Sequence, residues 1–322
     1  MRTFWKIKKW LYILGICVAA SAATGCTSDV TTQQDAFFQY GLDCMEEGKY
    51  DDAAVAFQSA LNQSRGRVSV REIDLCYYKA EALFMCGQLE EACKAYDAIV
   101  DYNGAADAYY LRGCLKMKMG LTDDAILDFG TAVEKDKNNY ELYIGIYNAL
   151  AENDLMGQGQ AYLNRALEIR GDKAYDKMEK GRIYLLLSDT SSAITYLKEA
   201  VEKESMEAVY YLALAYETAG DDANADVYYQ MYLESGTADA NELCEMGERQ
   251  MKKQNYSVAI EYFEAALEQE NVKNKPQILR DMSIAYENIG NFSMAKEVLQ
   301  KYLEFYPDDE TAQREMVFLE TR

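Results

Sequence analysis

YLRGCLKMKMGLTDDAILDFGTAV, residues Tyr110–Val133, decides the fold. It falls into two amphipathic helical halves, split by a short polar turn at Gly120. Gly113 puts a small residue in the first half, and Ala125 puts one in the second. Small side chains at those places let two helices approach closely. Phe129 follows Ala125 by four residues, one turn further along the same face, and can fill the gap to the next unit. Glycine at the turn accepts a left-handed backbone at little cost.

The same arrangement recurs along the chain. It is clearest in Tyr40–Leu61 (YGLDCMEEGKYDDAAVAFQSAL), Tyr211–Leu233, Cys244–Leu267 and Met282–Leu303. Eight units begin near residues 34, 73, 106, 140, 174, 206, 240 and 276, and three of the seven intervals are 34 residues. Gly41, Ala80, Gly113, Gly181, Ala213 and Gly247 hold the small position of the first helix. Ala53, Ala92, Ala125, Ala193, Ala225, Ala259 and Ala295 hold that of the second. Gly48, Gly87, Gly120, Gly220 and Gly290 mark the turns. The fourth unit departs: Tyr147 and Gly159 stand where a small residue and Ala are expected, and the tyrosine predicts a wider helix separation there.

Sustained periodicity of this kind resembles the tetratricopeptide repeat (TPR). The resemblance implies an all-α, right-handed superhelical solenoid of about eight helix-turn-helix repeats over residues 35–309. Residues 310–322 read as a capping helix that covers the last apolar face, with Met316, Val317 and Leu319 expected to be buried.

Residues 1–25 have the character of an address rather than of structure. Arg2, Lys6, Lys8 and Lys9 are followed by an uncharged apolar run from Trp10 to Ala23, too short for a comfortable membrane span. It ends in Ala23-Thr24-Gly25-Cys26, which resembles the lipobox of bacterial lipoproteins, with Ala23 where that family usually has Leu. The resemblance implies cleavage before Cys26, acylation of Cys26 and an extracytoplasmic, membrane-anchored chain, on the cell surface or the periplasmic face. Residues 26–34, polar and aperiodic, read as the lipidated cysteine and a flexible tether.

Composition narrows the chemistry. The 54 acids outnumber the 33 Lys and Arg, for a net charge of −21; beyond residue 25, 29 cations face 54 acids, or −25. Such a surface repels phosphate backbones, so no nucleic-acid partner is expected. Histidine is absent, which removes Ser-His-Asp and Cys-His catalysis and histidine-ligated metal sites. No phosphate-binding glycine loop or C-x-x-C occurs, and neither a cofactor nor enzyme activity is expected. The pairs Asp51-Asp52 and Asp123-Asp124 fall where second helices start and read as caps. Cys86 and Cys93, seven apart, admit a disulfide across a helix pair, although Cys44, Cys76, Cys86, Cys93, Cys114 and Cys244 mostly suit apolar core positions.

What remains is an excess of aromatics, 27 of them Tyr. In the TPR family the inner faces of the first helices line a concave groove. Phe38, Leu42, Met45, Tyr77, Phe84, Tyr110, Met117, Ile144, Met178, Tyr210 and Leu214 map there. Either they bind a helix or extended peptide, or they pack on neighbouring first helices. The family's carboxylate clamp, Lys and Asn at inner positions, is absent, with Phe38 and Leu42 at the matching places. The expected function is a membrane-anchored scaffold for a protein or peptide partner. A subunit of an envelope assembly machine, of outer-membrane β-barrel or pilus type, is the alternative by family analogy. Carbohydrate binding is less favoured, because Trp5 and Trp10 are the only tryptophans and both precede Cys26.

Overall fold

The computed structural model describes residues 29–322, except 65, 67, 270, 271 and 273. The address segment 1–25 and Cys26 lie outside the described residues. Seventeen helices and no strand occur among those described. The first unit of the fold, to Arg170, contains α1 (Asp29–Glu46), α2 (Tyr50–Asn62), α3 (Val70–Met85), α4 (Leu89–Asn103), α5 (Ala106–Lys118), α6 (Thr122–Lys135), α7 (Tyr140–Ala151) and α8 (Met156–Leu167). The second, from Gly171, contains α9 (Ala174–Leu186), α10 (Thr190–Glu202), α11 (Met206–Thr218), α12 (Asp222–Glu234), α13 (Ala240–Lys252), α14 (Tyr256–Leu267), α15 (Lys275–Asn288), α16 (Phe292–Phe305) and α17 (Glu310–Leu319).

One turn makes all eight hairpins. The first helix ends in a left-handed residue, and the next amide donates back five residues, as in Lys49 N to Cys44 O (2.8 Å) and Leu121 N to Lys116 O (2.9 Å). Gly48, Gly87, Gly120, Gly220 and Gly290 take φ between 74° and 82° there, and a Cβ at any of them would meet open space. Backbone conformation, not crowding, therefore selects glycine at these turns. The other three turns place Asp154, Ser188 and Gln254 at φ of 61–62°, without glycine.

Within each hairpin a knob fills a hole. A Cβ on Gly41 would lie 2.5 Å from the Phe57 ring, one on Gly113 2.6 Å from Phe129, one on Gly181 2.4 Å from Leu197 and one on Gly247 2.5 Å from Phe263. These large residues thus seat first on the small residue of their own hairpin. Phe57 also reaches the next one, stacking on Tyr78 at 5.5 Å. The fourth hairpin reverses the sizes. Tyr147 fills the first-helix position, and a Cβ on Gly159 would sit 3.2 Å from Tyr147 Cα. The helices stay close, so the expected widening does not occur: the small residue has moved to the partner helix.

Other expectations change as well. The segment Asp29–Gln34 belongs to α1 rather than to a tether. Gln34 is buried and donates to Ala60 O (3.3 Å) and to Glu72 (3.0 Å), which fixes the helix start against the rest of its unit. Asp51, Asp52, Asp123 and Asp124 lie in first turns, where they complement the helix dipole, but those two helices have no side-chain cap; among the acids, Asp189, Asp221, Asp239 and Asp309 cap other helices. On α17, Ala312 and Leu319 are buried and Met316 half-buried, whereas Val317 is exposed. Cys86, Cys93 and the four other described cysteines are free thiols.

Candidate functional site

Successive first helices are neighbours within each unit, α5 with α7, α9 with α11 and α13 with α15. Of the eleven expected groove residues, Phe38, Leu42, Met45, Tyr77, Phe84, Tyr110, Met117 and Ile144 lie on first helices of the first unit, and Met178, Tyr210 and Leu214 on first helices of the second. Met117, Ile144, Met178 and Tyr210 are buried; Phe38, Leu42, Met45, Tyr77, Phe84, Tyr110 and Leu214 are half-buried. None of the eleven is exposed.

Their contacts explain why. Phe38 lies 6.0 Å from Phe57 and 5.3 Å from Tyr78, ring to ring. Tyr77 packs edge-on to Tyr96 at 6.2 Å. Tyr110 packs on Phe129 at 6.1 Å, and its hydroxyl occupies the place where Gly145 lacks a side chain. Tyr210 touches Tyr211, Tyr229 and Tyr232 and donates to Glu245 at 3.2 Å. Met178 accepts from Ser205 Oγ at 3.9 Å. Packing on neighbouring helices engages much of the aromatic excess.

The less engaged chemistry on the first helices is acidic. Asp74 on α3 and Asp107 on α5 are half-buried, and among the described residues no cation pairs with either. Burial pushes the Asp74 carboxyl up; burial, then the Asp136 carboxylate, does the same to Asp107. Both acids act on the Tyr77 hydroxyl, whose pKa rises chiefly through its own burial. Asp74, Tyr77 and Asp107 therefore form one patch across α3 and α5. Sequence reasoning missed the two acids, yet a signal exists. The place after the unit starts 34, 73, 106 and 140 holds Asp35, Asp74, Asp107 and Glu141.

Many cations are spent inside the array. Arg112 holds Asp97 (2.7 Å) and Asp128 (2.6 Å), and Lys116 reaches Asp128 at 2.8 Å, tying α4, α5 and α6 together. Lys177 joins Glu199 (2.6 Å) and Asp172 (3.1 Å). Arg249 and Lys253 both grip Glu217, at 2.8 and 3.0 Å. Among the described residues no group of three acidic or thiol side chains could hold a metal ion, and no helix is long and apolar enough to cross a membrane.

Helical hairpins repeated at a 34-residue spacing, with glycine turns and knob-in-hole pairs, define an α-helical repeat array. Tetratricopeptide repeat models match residues 45–113, 106–139, 178–240 and 281–309, together more than half of the chain. The chain belongs to the tetratricopeptide repeat family. Its search against curated proteins returns no match. Among solved structures it is similar to a tetratricopeptide repeat protein from Parabacteroides merdae (13% identity, 79% of this chain, 99% of that one, TM-score 0.49). It is also similar to PilW, described as a widely conserved type IV pilus biogenesis factor (16%, 65%, 97%, 0.46), and to PilF of Pseudomonas aeruginosa (17%, 67%, 98%, 0.42).

Proposed function

We propose that the protein is a membrane-anchored, extracytoplasmic scaffold whose first-helix surface binds a protein partner bearing Lys or Arg. The family supports protein interaction as the general role, since repeat arrays present extended binding surfaces. The observation that carries the partner's chemistry is the Asp74–Tyr77–Asp107 patch. Two half-buried carboxylates without a cation flank a half-buried aromatic, in a chain whose net charge is −21. A Lys or Arg side chain would neutralise the pair and lay its stem on the ring. The anchor rests on the basic start, the apolar run and the Ala23-Thr24-Gly25-Cys26 junction. Binding, not catalysis, is the role proposed.

The test is a cross-linked capture from intact cells, comparing the full chain with Asp74→Lys/Asp107→Lys. Both positions keep part of their surface in water, so circular dichroism should be unchanged. A partner held by the parent chain and lost by the variant supports the reading. A partner held equally by both overturns it.

A further inference from the structure

The end of the array holds one cation between two carboxyl groups. Arg280 and Glu287 lie seven residues apart on α15, two turns along one face. Glu315 reaches them from α17 and takes both Arg280 guanidinium nitrogens, at 2.5 and 2.6 Å. That bidentate pair uses the cation fully. Glu287 sits against the same Glu315 carboxylate, and its Oε1 is buried without a hydrogen-bond donor. An ionised Glu287 would place a second negative charge there with nothing left to neutralise it.

We propose that Glu287 and Glu315 share a proton that clasps α17 onto α15, so that α17 loosens as the solution turns from acid to alkaline. In the closed state the Glu287 carboxyl donates its proton to the Glu315 carboxylate, which keeps its pair with Arg280. Loss of the proton to water leaves two carboxylates facing one guanidinium. Arg280 and Glu315 are the charged groups that act on Glu287; Tyr302 on α16 and Asp309 before α17 act on Arg280. Burial first, then Glu315, push Glu287 up to about 7, against Arg280. The folded state thus holds the proton more tightly than the unfolded chain does. The contribution is complete below the ordinary value of 4.5, falls as pH rises toward about 7, and changes little above that.

What the clasp controls is cover. α17 buries Ala312 and Leu319 against the apolar end of its unit, and Val317 and Phe318 are already exposed beside them. Opening α17 would bare the last face of the array.

Hydrogen exchange of residues 310–319 on the full chain, from pH 5 to 8.5 and corrected for intrinsic exchange chemistry, tests this. The expected result is about a tenfold fall in α17 protection, absent from α10 and α11, and absent from α17 in Glu287→Gln. Flat protection in the parent chain overturns the proposal, and so does an equal fall in Glu287→Gln. Should that variant not fold, Glu315→Gln also removes one of the two charges and serves the same comparison.

Discussion

Gln254 shows most plainly what single residues contribute. It holds φ of 62° at a turn where five other hairpins use glycine. A left-handed residue with a Cβ costs roughly 1–2 kcal/mol, and glycine returns part of that through its freer unfolded chain. Gln254→Gly and Ser188→Gly should each stabilise by about 0.5–1 kcal/mol in urea unfolding. Asp154→Gly should gain less, because Asp tolerates this conformation better. No gain at Gln254 would mean that its side chain contributes what the backbone loses. The opposite holds inside the helices. Ala at Gly247 would place a carbon 2.5 Å from the Phe263 ring, so Gly247→Ala should lose about 1–3 kcal/mol or more.

At the scale of the element, the fourth hairpin tests whether knob and hole form one unit. Tyr147→Ala should leave a cavity costing about 3–5 kcal/mol, and Gly159→Ala should crowd Tyr147 at about 1–3 kcal/mol. The double variant replaces the large–small pair with two small residues, so its loss should fall short of the sum by about 1 kcal/mol or more. Strict additivity in a double-mutant cycle would show that the two positions do not share a contact. The same hairpins show what was readable in advance. Gly41, Gly113, Gly181 and Gly247 announced themselves, because a hole beneath a phenylalanine ring or a leucine side chain tolerates almost nothing else. Tyr147 was recognisable as a departure, but its remedy required reading Gly159 as the displaced hole. The binding surface was far less legible. Spacing places Tyr77 and Tyr110 on the inner face but cannot say whether a ring covers its neighbour or faces solvent. Here Tyr110 covers Phe129 and fills the space at Gly145. The informative residues, Asp74 and Asp107, were hidden among 54 acids until burial and the lack of a nearby cation set them apart.

At the scale of the whole molecule, the start of α1 constrains the proposed anchor. If Cys26 carries the lipid, only Thr27 and Ser28 separate it from the helix that begins at Asp29. Three residue steps reach at most about 11 Å, and four residues of helix add about 6 Å. Gln33 would then lie within about 17 Å of the acylated cysteine. The array would be held at the membrane surface, not on a long leash, and its acidic first helix would face the head groups across one to two Debye lengths. Two measurements test this in turn. Labelled palmitate should enter the parent chain and not Cys26→Ala, which should also leave the membrane fraction; an unlabelled parent chain would remove the anchor. With the anchor present, a fluorophore at position 33 should be quenched by a head-group quencher. Fifteen Gly and Ser residues inserted between Ser28 and Asp29 should relieve most of that quenching, since flexible chain of that length spans about 20 Å. Labelling by palmitate with no quenching at position 33 would leave the lipid in place and show that α1 stands away from the bilayer.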